Sequence, residues 1–109
     1  MDVATSYSNL GRVEHAVGHF PEARELYQRC LDIRLAVIGA EHLDVAASYN
    51  SLGGIERTLG QFAAARDLYQ RCLDIQIAIH GDQHLHAAVS YGNLGHVEAE
   101  LGNLSLIHI

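Results

Sequence analysis

The residues of this chain best equipped for chemistry are its eight histidines and two cysteines. The histidines crowd at one place, His80, His84 and His86. His80 and His84 have the spacing of two metal ligands on one helical face. Gly81 between them is expected to break that helix. Only His84 has a counterpart one repeat earlier, His42, whereas His80 and His86 align with Ile38 and Asp44. No metal site is therefore expected; His42 and His84 should hydrogen-bond within loops, and His80 and His86 should be exposed. Cys30 and Cys72 recur at the same interval. A nucleophilic thiol needs an exposed, electropositive setting and a nearby histidine. Both cysteines fall instead on an apolar helical stripe, so they are read as small buried residues. Gly-x-Ser-x-Gly, phosphate-loop and dinucleotide glycine patterns are absent. The chain is thus expected to have no catalytic residues and no cofactor.

What positions these residues is a repeat of 42 positions. Asp2-Val3-Ala4 returns as Asp44-Val45-Ala46, and Leu26–Ile33 returns unchanged as Leu68–Ile75. Between residues 2–43 and 44–85, 24 of 42 positions are identical. One such unit cannot bury its own apolar face, so repetition implies a stacked array. The expected units are residues 2–43, residues 44–85 and a partial third, 86–103.

Each unit reads as two helices, A and B. In helix A, apolar side chains fall at Val3, Tyr7, Leu10, Val13 and Val17, then at Val45, Tyr49, Leu52, Ile55 and Leu59, then at Ala87, Tyr91, Leu94, Val97 and Leu101. Steps of three and four make one helical stripe. Asp2 and Asp44 should cap the start, and Gly18, Gly60 and Gly102 should end it. Helix B opens near Phe20-Pro21-Glu22, with proline suited to the first turn. Its stripe is Ala23, Leu26, Tyr27, Cys30, Leu31 and Ala36, copied as Ala65 to Ala78. Glu25/Arg29 and Asp67/Arg71 are favourable pairs four apart, and Gly39 and Gly81 end the helix.

Tyr7, Leu10-Gly11, Gly18, Ala23, Tyr27 and a small residue at Cys30 resemble the tetratricopeptide repeat. The unit length, the long B helix and the Gly-x-x-His-Leu-Asp-Val-Ala junction resemble the kinesin light chain type, widespread in bacteria. The resemblance covers residues 2–103. It implies an all-α, right-handed α-solenoid of stacked antiparallel helix pairs in the order A-B-A-B-A. His42-Leu43 and His84-Leu85 depart from the family's His-Pro junction. Glu14, Glu56 and Glu98 stand where the family favours an aromatic. A half-buried carboxylate needs a partner, so Glu14–Arg24 and Glu56–Arg66 ion pairs are expected, with Glu98 solvated.

The family grips extended or helical peptides along a concave wall of A helices. Carried over by register, that wall holds Ser8, Asn9, Arg12 and His15, then Asn50 and Arg57, then Asn93 and His96. An amide can both donate to and accept from a peptide backbone, and arginine can pair with a carboxylate; a protein or peptide ligand, with acidic groups for Arg12 and Arg57, is the expected partner. Lysine is absent, so the two-lysine clamp of chaperone-binding relatives is missing. The main alternative is a regulatory or sensor arm of a larger bacterial signalling NTPase or protease. A self-associating array is a third reading, so oligomeric state stays open.

The 109 residues carry a net charge of −6, from 13 acids against 7 bases, which argues against a nucleic-acid surface. No stretch is apolar enough to span a bilayer, Met1 opens no recognisable signal sequence, and a reducing, cytoplasmic setting is expected. Residues 104–109, Leu-Ser-Leu-Ile-His-Ile, leave the repeat pattern. They match the in-frame translation of a transposase-end sequencing adapter and are expected to be foreign to the gene. Without a following B helix, one flank of Leu94 and Val97 should lie exposed.

Overall fold

The computed structural model describes residues 2–107, with side chains described as far as Leu104. The expectation for 104–109 falls almost wholly outside the described side chains. Five helices follow one another: α1 (Val3–Ala16), α2 (Phe20–Ile38), α3 (Leu43–Thr58), α4 (Phe62–His80) and α5 (Leu85–Ile107). The architecture is all-α, a helical repeat solenoid in which each helix packs on its sequence neighbours. Helices α1, α3 and α5 are the A helices; α2 and α4 are the B helices.

Local chemistry explains most boundaries. The Asp2 carboxylate accepts from the Thr5 N–H at 2.7 Å and caps α1. At α3 the cap is His42, whose Nδ1 accepts from the Asp44 N–H at 2.9 Å. Asp44 itself sits in the first turn, two positions past the cap. Gly18 adopts φ 87°. There the Gly18 N–H reaches His15 O at 3.1 Å and the His19 N–H reaches Glu14 O at 2.8 Å. This paired closure needs a left-handed residue, which glycine supplies without a Cβ clash. Gly60 repeats the motif through Arg57 O and Glu56 O.

Gly102 does not: α5 continues through it. After Gly18 and Gly60 the chain turns back because Phe20 and Phe62 pack into the core. Leu104 stands in their place and is exposed. With nothing to gain by returning, the helix runs on, and an interior glycine costs only about 1 kcal/mol.

One core joins Ala23, Tyr27 and Leu31 of α2 to Val45, Leu52 and Ile55 of α3 and to Cys72 and Ile75 of α4. A second joins Ala65 and Tyr69 of α4 to Val97 of α5. The A-helix stripe therefore faces the B helix that precedes it. This corrects the expectation for α5: Val97 is fully buried and Leu94 half-buried, against α4. Ala36 and Ala78, assigned to the B stripe, are exposed. Each lies five residues past the last core leucine, about 140° around the helix from it.

The expected ion pairs are also shifted by one helix. Arg24 makes a two-pronged bond to Glu56 of the next unit, at 2.5 and 3.1 Å, rather than to Glu14. Arg66 meets Glu98 at 3.6 Å rather than Glu56. Glu14, with no preceding B helix, meets His19 at 2.7 Å. The cause is again that this A-helix face looks backward along the array. Glu98 is solvent-exposed, as expected, yet touches Arg66. Arg29 bonds Glu25 at 3.0 Å. Asp67, one methylene shorter, makes no such bond among the described residues, and Arg71 rests over the Tyr49 ring at 5.8 Å.

Candidate functional site

Helices α3 and α5 lie side by side across α4, and polar side chains tie them together. Asn93 Nδ2 donates to Asn50 Oδ1 at 3.1 Å. Arg57 donates from Nε and Nη2 to Glu100 Oε1, at 2.8 and 2.7 Å. Each bond spans one repeat plus one residue, so each joins equivalent stretches of adjacent A helices. Beside the asparagine pair lies a cavity of about 280 Å³. Leu43 and Ala47 of α3 and Val89 of α5 wall it, and Cys72 and Gln76 of α4 floor it.

The floor is set by a position at which α4 departs from its counterpart α2, Gln76 in place of Arg34. Gln76 accepts from the buried Ser90 hydroxyl at 2.6 Å. Its counterpart Arg34 is longer and charged, and donates to Ser48 Oγ at 2.8 Å and to Asp44 O at 2.9 Å. In both units the cysteine sulfur lies 3.6 Å from the equivalent serine, Cys30 from Ser48 and Cys72 from Ser90. Burial pushes the Cys72 thiol up, with the Ser90 contact acting weakly in the other direction. A thiol so held stays protonated and is a poor nucleophile at neutral pH.

The eight residues assigned to the wall fare differently. Asn50 and Asn93 are brought together, and Arg12 Nη2 donates to Asn9 Oδ1 at 2.5 Å. Arg57 is committed to Glu100 rather than presented alone to a ligand carboxylate. His15 is half-buried, edge-on to Phe20 at 5.6 Å. Ser8 is half-buried and His96 exposed, and among the described residues no hydrogen bond or ion pair joins either to the others. The sequence reading missed Gln76. The signal for Gln76 was present, since it replaces Arg34 immediately after the unbroken copied block Leu68–Ile75. Among the described residues no group of three histidine, cysteine, aspartate or glutamate side chains is arranged to hold a metal ion. No helix there is long and apolar enough to cross a membrane.

A family model described as tetratricopeptide repeat matches residues 2–78 and, overlapping, 44–106. The chain belongs to the tetratricopeptide repeat family. Among solved structures it is similar to BtubC (BKLC) from P. vanneervenii, with 28% identity and a TM-score of 0.84. That likeness covers 90% of this chain and 39% of the other, so this chain spans well under half the length of that relative. It fits the kinesin light chain type of repeat. No curated protein matches the sequence. Tetratricopeptide repeats are in general protein-interaction modules, and generally not catalytic.

Proposed function

We propose that this segment is a non-catalytic interaction module whose A-helix wall holds an extended segment of a partner protein. The observation that carries the reading is the Asn50–Asn93 amide pair at the rim of the 280 Å³ cavity. Amides can satisfy the backbone of an extended chain whatever its sequence, because each has both donor and acceptor groups. The cavity beside them is lined mainly by carbon and accepts the apolar part of a side chain. Concave, mostly apolar sites with a few placed polar groups are where ligands bind. Arg12, exposed and steadied by Asn9, is the cation best placed for an acidic group on the ligand. Arg57 would serve only by leaving Glu100. Two buried free cysteines are compatible with a reducing compartment, and we take the cytoplasm as the setting.

The test is selection of a displayed random-peptide library on the whole chain, repeated with an Asn50→Ala/Asn93→Ala variant whose helicity is checked by circular dichroism. Enrichment of peptides that then lose affinity for the variant is expected. Enriched peptides that bind the folded variant equally well would remove the wall from consideration.

A further inference from the structure

The two repeat junctions use the same residue in different surroundings. At the first, His42 Nδ1 accepts from the Asp44 N–H and caps α3, and an Asp44 carboxylate oxygen lies 3.8 Å from that nitrogen. At the second, His84 Nδ1 accepts from the His86 N–H at 3.2 Å in the same way, at the start of α5. Here, however, the acid is replaced by His86 and the aliphatic Ile38 by His80. The His80 and His84 rings stack at 4.4 Å and 17°. His86 stands edge-on to both, at 4.8 Å from His84 and 6.3 Å from His80. Three imidazoles thus meet from α4, the junction loop and α5.

Among the described residues no carboxylate lies within ion-pair distance of this cluster. Asp82 in the loop accepts weakly from Gln83, at 3.4 Å. From α3, the cavity beside His86 presents the neutral Leu43, Ala47 and Asn50. From α4 it presents Gln76 and the Cys72 thiol, which burial keeps protonated.

We propose that the second junction is an acid-sensitive hinge, in which protonation of the histidine cluster uncaps α5 and loosens it from α4 while the first junction holds. A neutral imidazole can accept the His86 N–H; an imidazolium has two donors and no acceptor. It would also place positive charge at a helix N-terminus, where the dipole disfavours it, and beside two like groups within 5 Å. At the first junction the Asp44 carboxylate neutralises the same event. Partial burial, then the neighbouring His80 and His86, hold the His84 pKa below its ordinary 6.5. For a base lowered by folding, the unfolded chain takes the proton first. The stabilisation is therefore complete above pH 6.5 and is lost as pH falls from there through the folded value. Because α5 contributes Val89 and Asn93 to the proposed wall, the hinge would release a ligand under mild acid. That consequence rests on the interaction reading; the hinge itself does not.

The experiment is amide hydrogen exchange on the whole chain at pH 7.5 and 5.5, corrected for intrinsic rates, with histidine titrations by NMR in the presence of a chelator. The Ala88 N–H, bonded to His84 O, and the Ala46 N–H, bonded to His42 O, are equivalent reporters. Ala88 protection should fall by about fivefold at pH 5.5 while Ala46 changes less than about twofold, the direction being that of linkage to a lowered pKa. Converting the second junction to the first, with His80→Ile and His86→Asp, should abolish the difference. So should His84→Asn, which caps without titrating. Equal loss at both reporters, or a His84 that titrates at or above the ordinary 6.5, would overturn the hinge.

Discussion

Helices α1 and α3 carry nearly the same stripe and meet opposite fates. Ile55 is fully buried and Leu52 nearly so, yet their counterparts Val13 and Leu10 are 58% and 54% exposed. What differs is the neighbour. Helix α3 has α2 before it, whereas α1 has no B helix on that side in this structure. By contrast Ala4 and Gly11, on the face turned toward α1's own B helix, are as buried as Ala46 and Gly53. In α5 the pattern reverses: Val97 is buried against α4, while Ala88 and Gly95, the counterparts of Ala4 and Gly11, are exposed. Each A helix therefore has two contact faces, one of large residues toward the preceding unit and one of small residues toward its own.

The largest effect that could break this comparison is a truncation made at both copies. Ile55→Ala should cost about 2–5 kcal/mol in urea unfolding, as core truncations do. Val13→Ala should change stability by less than about 0.5 kcal/mol, as exposed substitutions do. Similar losses at the two sites would mean that α1 is covered on its outer face.

The small-residue face supplies the next contrast. A Cβ built on Gly53 would lie 2.7 Å from the Tyr69 ring, whereas one on Gly95 meets nothing within 4 Å. Gly53→Ala should overpack the interface and cost about 1–3 kcal/mol. Gly95→Ala, in an open stretch of helix, should be neutral or stabilise by up to about 1 kcal/mol. A smaller effect sharpens the direction in which A helices look. A double-mutant cycle on Arg24 and Glu56 should return a coupling of about 1 kcal/mol or less, since Arg24 is 43% exposed. The same cycle on Arg24 and Glu14 should return none.

The repeat, the helix pairs and their order were legible because they depend on local pattern: three-and-four spacing, Pro21 at a helix start, and Gly18, Gly39, Gly60 and Gly81 at helix ends. The direction of each face was not legible. Periodicity identifies a stripe without saying which neighbour it meets, so Glu14, Glu56, Leu94 and Val97 were all referred to the wrong helix. Gly102 misled for a related reason: a glycine ends a helix only when later residues reward the turn, and Leu104 does not replace Phe20. Within the wall, the amide chemistry of Asn50 and Asn93 could be read from residue type. The commitment of Arg57 to Glu100 could not, because it depends on how two A helices align across a repeat.

The most direct test of the wall as the interaction surface is an NMR map of the whole chain with a peptide taken from the display selection. Shifts should concentrate at Asn50, Val89 and Asn93, and the exposed stripe of Val3, Leu10 and Val13 should remain unmoved. Shifts centred on that stripe of α1, with Asn50 and Asn93 silent, would contradict the account and make the outer face of the first unit the binding surface.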